Sequence, residues 1–416
     1  MKQIIKIILL LLVILPGFVF GQKKTLSLDS IISAIENNNI LLESFVYKQQ
    51  SLDYKAEAQS AWMAPMAGAG TFMTPYPGQK IMNGADKGSV MFQFEQAIPN
   101  KSKQHAKKDY FLSMKNGVKA EREIMLNEMR AYARELYFNW IIAEKKISLL
   151  EKNYPLLEML KKVAEVRYPY SQSALGEIYK AEAEIQNNKN DILELKAETD
   201  YAKARINSLM QLPPEHDFQP DTSFLINYQP ILLPDSVLLS EKRKDAELLR
   251  FNTISLQKSI EAKALERKPE FSIRFDHMSP LGGMMPQAYS IMGMMTIPLA
   301  PWSAKGYKTE IKSMNADILA MERERSALLN ETQGRLTGLH YRIEKLNQKI
   351  SGLKDYVIPA YQKTLDANFL SYQENNLPLS EVLISWKEVR NKEMELLNES
   401  LNLYKLIIEY EKELFQ

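Results

Sequence analysis

Four histidines, His105, His216, His277 and His340, are the side chains most ready for proton or metal chemistry near neutral pH, and they are scattered along the chain. None belongs to an HExxH pair, and there is no GxSxG elbow, Walker A loop or dinucleotide glycine motif. Cysteine is absent, which excludes disulfides, thiolate metal sites, thiol catalysis and a lipid anchor on an N-terminal Cys. The sequence therefore offers no catalytic residue and no cofactor site, and it does not read as an enzyme. One soft-ligand cluster stands out. Met278, Met284, Met285, Met292, Met294 and Met295 crowd together beside His277, and thioether sulfur suits Cu(I). The plainer reading is packing, because methionine fills irregular apolar gaps and lipid-facing surfaces; Met278, Met284, Met285 and His277 stand as metal candidates beside it.

A second polar set is defined by alternation. In Phe271-Ser272-Ile273-Arg274-Phe275-Asp276, apolar and polar residues alternate, so Phe271, Ile273 and Phe275 share one face of a strand and Arg274 and Asp276 the other. Phe92 and Phe94 oppose Gln93 and Glu95 in the same way. Gln93, Glu95, Arg274 and Asp276 are expected on the polar faces, either lining an aqueous space or satisfying one another. Strands are expected at about 66–74, 88–98, 270–278 and 288–297, in two pairs, each around a Gly-, Pro- or Met-rich loop. Tyr76, Tyr289 and Trp302 suit an interfacial aromatic belt, and Trp62 either such a belt or a core.

These pairs sit in a duplicated layout. Pro65 and Pro269, Tyr137 and Tyr341, Pro155 and Pro359, Leu175 and Leu379, and Glu177 and Glu381 are each 204 residues apart. Each copy reads as helix, strand pair, long helix, turn, long helix. The first repeat spans 22–213 with a helical hairpin at 101–211. A Pro-rich linker follows at 214–234, and the second repeat spans 235–416 with a hairpin at 303–414. The opening helix, begun by Asp29 or Ser30, breaks near Asn37-Asn38-Asn39, and its second copy runs 235–266. The arm beginning near Lys101 is expected to be kinked or broken at Pro155 and reaches roughly 100 Å. Its return helix carries a 3,4-spaced seam through Ile178, Ala181, Ile185, Asn188, Ile192, Leu195, Thr199, Ala202, Ile206 and Leu209.

Residues 1–21 read as a secretory signal peptide, with Lys2 and Lys6 around an apolar run. Without those two lysines, basic and acidic residues are equal in number, so no nucleic-acid footprint appears. Past the signal no apolar run is long enough for a membrane helix, so membrane entry would have to be by strands, which need only about 9–11 residues each. Four strands cannot close a barrel, two copies would give eight with a filled interior, and three give twelve.

Ile297-Pro298-Leu299 followed by Trp302-Ser303-Ala304-Lys305-Gly306, the hairpin pattern Phe369-x-x-Tyr372 with Leu379-Ser380-Glu381-Val382-Leu383, and the doubled layout resemble the TolC-type outer membrane efflux proteins. The first repeat departs from the helix-opening pattern, with Pro99-Asn100-Lys101-Ser102-Lys103 and no glycine. The resemblance implies a mainly α fold with a small β-barrel contribution: a homotrimer with a 12-stranded barrel in outer-membrane lipid, and a periplasmic α-helical tunnel. It also implies a periplasmic adaptor and an inner-membrane efflux pump as partners, and export of small molecules or metal ions. A type I secretion duct, and a coiled-coil adaptor or scaffold without a barrel, remain the alternatives. In a duct the two hairpin turns are the natural gate and adaptor tip. Arg167, Tyr168, Tyr170, Gln172, Tyr372, Gln373 and Glu374 are expected to hydrogen-bond between neighbouring hairpins, Asn375-Asn376 to form a turn, and Leu175, Glu177, Leu379 and Glu381 to lie just behind.

Overall fold

The computed structural model describes residues 25–171, 173–221, 228, 235–283 and 285–415. The signal segment, most of the linker, Gln172 and Met284 lie outside the described residues. In order, the elements are β1 (Thr25–Leu26), α1 (Leu28–Asn38), α2 (Ile40–Ala58), β2 (Met66–Phe72), β3 (Ser89–Ile98), α3 (Lys101–Arg167), α4 (Leu175–Leu209), β4 (Gln219–Pro220), α5 (Ser236–Lys242), α6 (Lys244–Ala264), β5 (Phe271–Pro280), β6 (Ala288–Met295), α7 (Pro301–Gly352), α8 (Ile358–Gln373) and α9 (Leu379–Glu413). They divide into two compact units, one with the described residues of Met1–Asn39, Met129–Gln229 and Arg342–Glu409, the other with those of Ile40–Glu128, Pro230–Tyr341 and Tyr410–Gln416.

The first unit is helical. Its core joins Leu28, Ile31 and Ile35 of α1 with Tyr137, Phe138, Trp140 and Ile141 of α3, Ile206 of α4, and Phe218. The buried Tyr137 hydroxyl accepts from the Asp221 amide at 2.8 Å and faces the Leu26 carbonyl at 3.2 Å, which ties down the short β1–β4 pair. Burial raises its pKa above the ordinary tyrosine value. The α4 seam is buried at Ala181, Ile185, Asn188, Leu195, Thr199, Ala202 and Ile206. Asn188 is fully buried and donates to the Leu150 carbonyl of α3 at 3.1 Å, so the polar position in the seam is a pin between the two helices.

The second unit carries a four-stranded antiparallel sheet of order β2-β3-β5-β6, so the two hairpins meet along β3 and β5. β2 stops at Phe72, short of the expected 74, because Met73 turns to φ 52° and Pro75 follows. β5 runs on to Pro280, and β6 ends at Met295.

Both copies of the opening helix are broken, and at equivalent residues. Asn39 and Arg243, 204 apart, leave the helical region with ψ 117° and 115°. The Asn39 side chain donates to the Leu209 carbonyl at 2.9 Å; Arg243 donates to the carbonyl of Glu413, again 204 residues on, at 3.0 Å. The break at Arg243 corrects the expectation of a single helix over 235–266. Arg243 also holds the Asp245 and Glu413 carboxylates, with both Arg243 and Glu413 buried. Removing one partner of a buried pair costs about 3–5 kcal/mol, and less here because Glu413 also accepts from Arg335 at 2.7 Å. Arg243→Met should therefore lower the thermal midpoint by several degrees, and Asn39→Ala, which strands no charge, by less; equal midpoints for both variants and the parent would refute it.

Three further details differ from the expected boundaries. Ser27, not Asp29 or Ser30, caps α1, its hydroxyl accepting from the Ser30 amide. Pro155 lies inside an uninterrupted α3, whereas the turn before Pro359 is a π-helical segment, Leu353–Val357. A missing N–H leaves a carbonyl unpaired in either case, and the wider π turn is one way to absorb the ring.

Candidate functional site

The sheet register sorts the strand residues into two faces. Glu95 lies opposite Arg274, Gln93 opposite Asp276, and Ser290 also opposite Asp276, so all five share one face. Arg274 donates to Asp276 at 2.9 Å, Ser290 donates to the other Asp276 oxygen at 3.3 Å, and Ser272 donates to Glu95 at 2.9 Å. Asp276 is 2% exposed, and its two donors account for how a carboxylate stays there. This face carries a hydrogen-bonded ladder with one more acidic than basic group among Glu95, Arg274 and Asp276.

The opposite face is apolar and open. Phe92, Phe94, Ile98, Phe271, Ile273, Phe275, Tyr289, Ile291 and Met295 are each about 40–70% exposed. Contiguous apolar area on that scale marks a surface that another molecule or a membrane covers. The sheet also ends in two strands, β2 and β6, that each pair on one side only among the described residues. Trp62 and Trp302 are 63% and 83% exposed, so Trp62 is not a core residue.

The register splits the grouping read from sequence at one point, between His277 and its neighbour Met278. His277 pairs with Phe92 and Tyr289 on the apolar face, while Met278 pairs with Met91 on the polar one. Adjacent strand residues point to opposite sides, so His277 and Met278 cannot share a ligand. Met66, Met91, Met278, Met292 and Met294 all fall on the polar face by register, and only Met295 of this set on the apolar face.

In the helical unit the two hairpin turns lie against each other. Leu157, Leu160, Ala164, Ala181 and Ile185 of the first hairpin form one buried cluster with Leu365, Tyr372, Leu379, Val382, Leu383, Trp386 and Val389 of the second. Arg167 donates to the carbonyls of Tyr372 at 2.9 Å and Gln373 at 3.3 Å, and its guanidinium stacks 4.4 Å from the centre of the Tyr372 ring. Tyr372 was expected to hydrogen-bond through its hydroxyl. Instead the ring is buried, the hydroxyl meets no partner at bonding geometry among the described residues, and burial raises its pKa against the opposing charge of Arg167. Each turn places one residue in the left-handed region, Ser171 and Asn375, again 204 apart. Glu374 is exposed and accepts from Asn376 at 3.2 Å. Tyr168, Tyr170 and Leu175 are exposed beside the turn, while Leu379 is fully buried.

Glu177 does two things that sequence reading did not assign. One oxygen closes a cap on its own helix, accepting from Ser173 at 2.7 Å and from the Ala174 amide at 3.3 Å; the other accepts from the Ser380 amide at the start of α9 at 3.4 Å. One and two heptads further along α4, Glu184 accepts from Lys387 at 3.0 Å and Asp191 from Arg390 at 2.7 Å. The signal in the sequence is the seven-residue spacing of Glu177, Glu184 and Asp191 facing Lys387 and Arg390, which otherwise looks like an ordinary solvated charge run.

No protein-family model matches the sequence, and no curated protein matches it. Solved structures do. A membrane protein from Pseudomonas aeruginosa matches with a TM-score of 0.74 at 12% identity, over 94% of this chain and 91% of that one. The outer membrane protein VceC from Vibrio cholerae matches with 0.68 at 14%, over 93% and 95%, and the Neisseria gonorrhoeae MtrE outer membrane channel, in its open state, with 0.70 at 16%, over 93% and 88%. The chain has the fold of these three membrane proteins, matched along nearly its whole length.

Proposed function

We propose that this chain is the outer-membrane exit duct of a tripartite efflux system, of the TolC type that its sequence resembles. Three copies each give β2, β3, β5 and β6 to one 12-stranded barrel, and the paired helical hairpins build a tunnel in the periplasm. The observation that carries this reading is the sheet, with an open edge at each side, an exposed apolar face and a hydrogen-bonded polar face. A barrel of this kind has its apolar band outside and its polar residues inside. The apolar face then meets lipid, and Gln93, Glu95, Arg274 and Asp276 line the lumen.

In the same reading residues 1–21 are a leader that directs export, the duct is passive, and an inner-membrane pump drives it through a periplasmic adaptor. The adaptor meets the hairpin turns, where Tyr168, Tyr170 and Leu175 are exposed. Arg167, Tyr372 and Glu177 hold the two turns of one chain together, and opening requires those contacts to loosen or exchange.

The natural absence of cysteine makes the test clean. Ala69 at the middle of β2 and Gly293 on β6 lie on the same face by register. Ala69→Cys with Gly293→Cys should give disulfide-linked dimers and trimers in isolated outer membranes, while Ala69→Cys with Met292→Cys, on opposite faces, should link far less. A monomer in mild detergent, together with no cross-linking from either pair, would sink the proposal.

A further inference from the structure

We infer that Met73, Met278 and Met285 form a binding site for a soft monovalent cation, Cu(I) or Ag(I), at the loop end of the sheet's polar face. The three methionines line one groove of about 710 Å³, together with Phe72, Ser89, Pro280 and Ala288 of the strands and Tyr76 and Asp86 of the first loop. The residues come from three places: Met278 from β5, Met73 from the end of β2, and Met285 from the loop before β6. Met91 lies directly across from Met278 on the same face, next to the groove. Opposed Cβ atoms on antiparallel strands are about 4.5–5.5 Å apart, within the span of two methionine arms.

Packing explains these methionines poorly. Met73 is 80% exposed and Met285 55%, so neither fills a gap. Met73 is also held at φ 52°, an uncommon state for a residue with a Cβ, and such strain persists where surrounding structure imposes it. The imposing structure is visible. Gly88, at φ 77°, lies so close that a Cβ there would be 2.8 Å from the Met73 carbonyl oxygen. Leu281 donates to the Gly88 carbonyl at 2.9 Å, and a Cβ on Gly282 would sit 1.7 Å from the Gly84 carbonyl oxygen. The loop that follows Met73 and the loop that leads to Met285 are thus in close backbone contact at Gly84, Gly88, Leu281 and Gly282, which keeps the two loops together at the groove that Met278 also lines.

The donor set selects the ion. Neutral thioethers are soft ligands that favour Cu(I) and its heavier analogue Ag(I), whereas Ca²⁺ and Mg²⁺ require shells of oxygen. Asp86 is the one carboxylate lining the groove, and among the described residues no cluster of three His, Cys, Asp or Glu could hold a hard or borderline metal. The site is built within one chain; only its role, a station for a soft ion on its way out of the lumen, rests on the duct reading.

The test is titration of the detergent-solubilised full chain with silver nitrate in chloride-free buffer, followed by calorimetry. One Ag(I) should bind per chain, and Met73→Leu/Met278→Leu/Met285→Leu should weaken binding at least tenfold, about 1.4 kcal/mol. Leucine keeps the volume, so folding should hold. The control Met292→Leu/Met294→Leu/Met295→Leu removes the same number of sulfurs from β6 and should bind as the parent does. X-ray absorption on the parent should show a sulfur shell around silver. Equal binding by parent and first variant, equal loss in both variants, or an oxygen-only shell would overturn the inference. Light scattering and conductance on the same samples separate the two ideas: a conducting trimer without a silver site leaves the duct standing, and a monomer that binds silver leaves the site standing without the duct.

Discussion

Lysine in place of Ile273 is expected to prevent a stable membrane-inserted trimer, while lysine in place of its neighbour Ser272 is expected to be tolerated. The two positions differ by one residue and by the face they occupy. Ile273 is 50% exposed on the apolar face, one row from the Phe94–Phe275–Ile291 row at its centre, and Ser272 faces the ladder, donating to Glu95. A lysine on the lipid face near the bilayer middle costs about 2–4 kcal/mol, and a homotrimer incurs it three times. On the polar face the same charge meets water and Glu95. The measurement is the denaturant midpoint of the trimer in liposomes, with flotation to establish insertion. Equal losses at both positions would mean that neither face meets lipid.

Arg167→Ala should raise single-channel conductance in planar bilayers without changing trimer formation. Arg167 makes two charge-assisted bonds to carbonyls of the other hairpin turn and covers the Tyr372 ring. Hydrogen bonds to a charged group contribute about 1.5–3 kcal/mol each, so the loss of about 2 kcal/mol from the closed arrangement would raise an open fraction roughly thirtyfold. Tyr372→Phe should change little, since the deleted hydroxyl meets no partner at bonding geometry among the described residues. Glu374→Ala should change little as well, because its contact is local to the turn. Arg167→Lys should rescue only in part, since an ammonium cannot reproduce the planar fork. Parent-level conductance for Arg167→Ala would move the gate away from these turns.

Strand faces were legible because alternation is local: Phe271 to Asp276 state their own sidedness. The same rule, applied one residue further, separates His277 from Met278, which closeness in sequence had joined. The helix break at Asn39 was also readable, since three consecutive asparagines are poor helix formers. Its partner at Arg243 was not, because Glu241-Lys242-Arg243-Lys244 favours a helix by propensity, while the contact that holds Arg243 at the break comes from Glu413, 170 residues on. Pro155 and Pro359 show the limit from the other side, one residue type giving a continuous α-helix in the first repeat and a π turn in the second. At the turns the residue types were visible in advance, but the roles were not. Whether Tyr372 offers a hydroxyl or a buried ring depends on Arg167, 205 residues away.

The central strand pair of the sheet has a consequence for how the chain is made. Ser272 bonds to Glu95 across 177 residues, so β3 cannot meet its neighbour β5 until most of the polypeptide has been made. The helical hairpins face no such delay, since α3 and α4 are joined by a short turn and can associate as soon as both have emerged. Long-range strand pairing is slow because the chain entropy of closing the loop comes before any contact rewards it, and a lone two-stranded hairpin is marginal in water. Helices therefore form first and the sheet last. During that interval β3 carries Phe92, Phe94 and Ile98 without its neighbour β5, so the time before the two hairpins meet is when this chain is most open to aggregation and most in need of a holding chaperone.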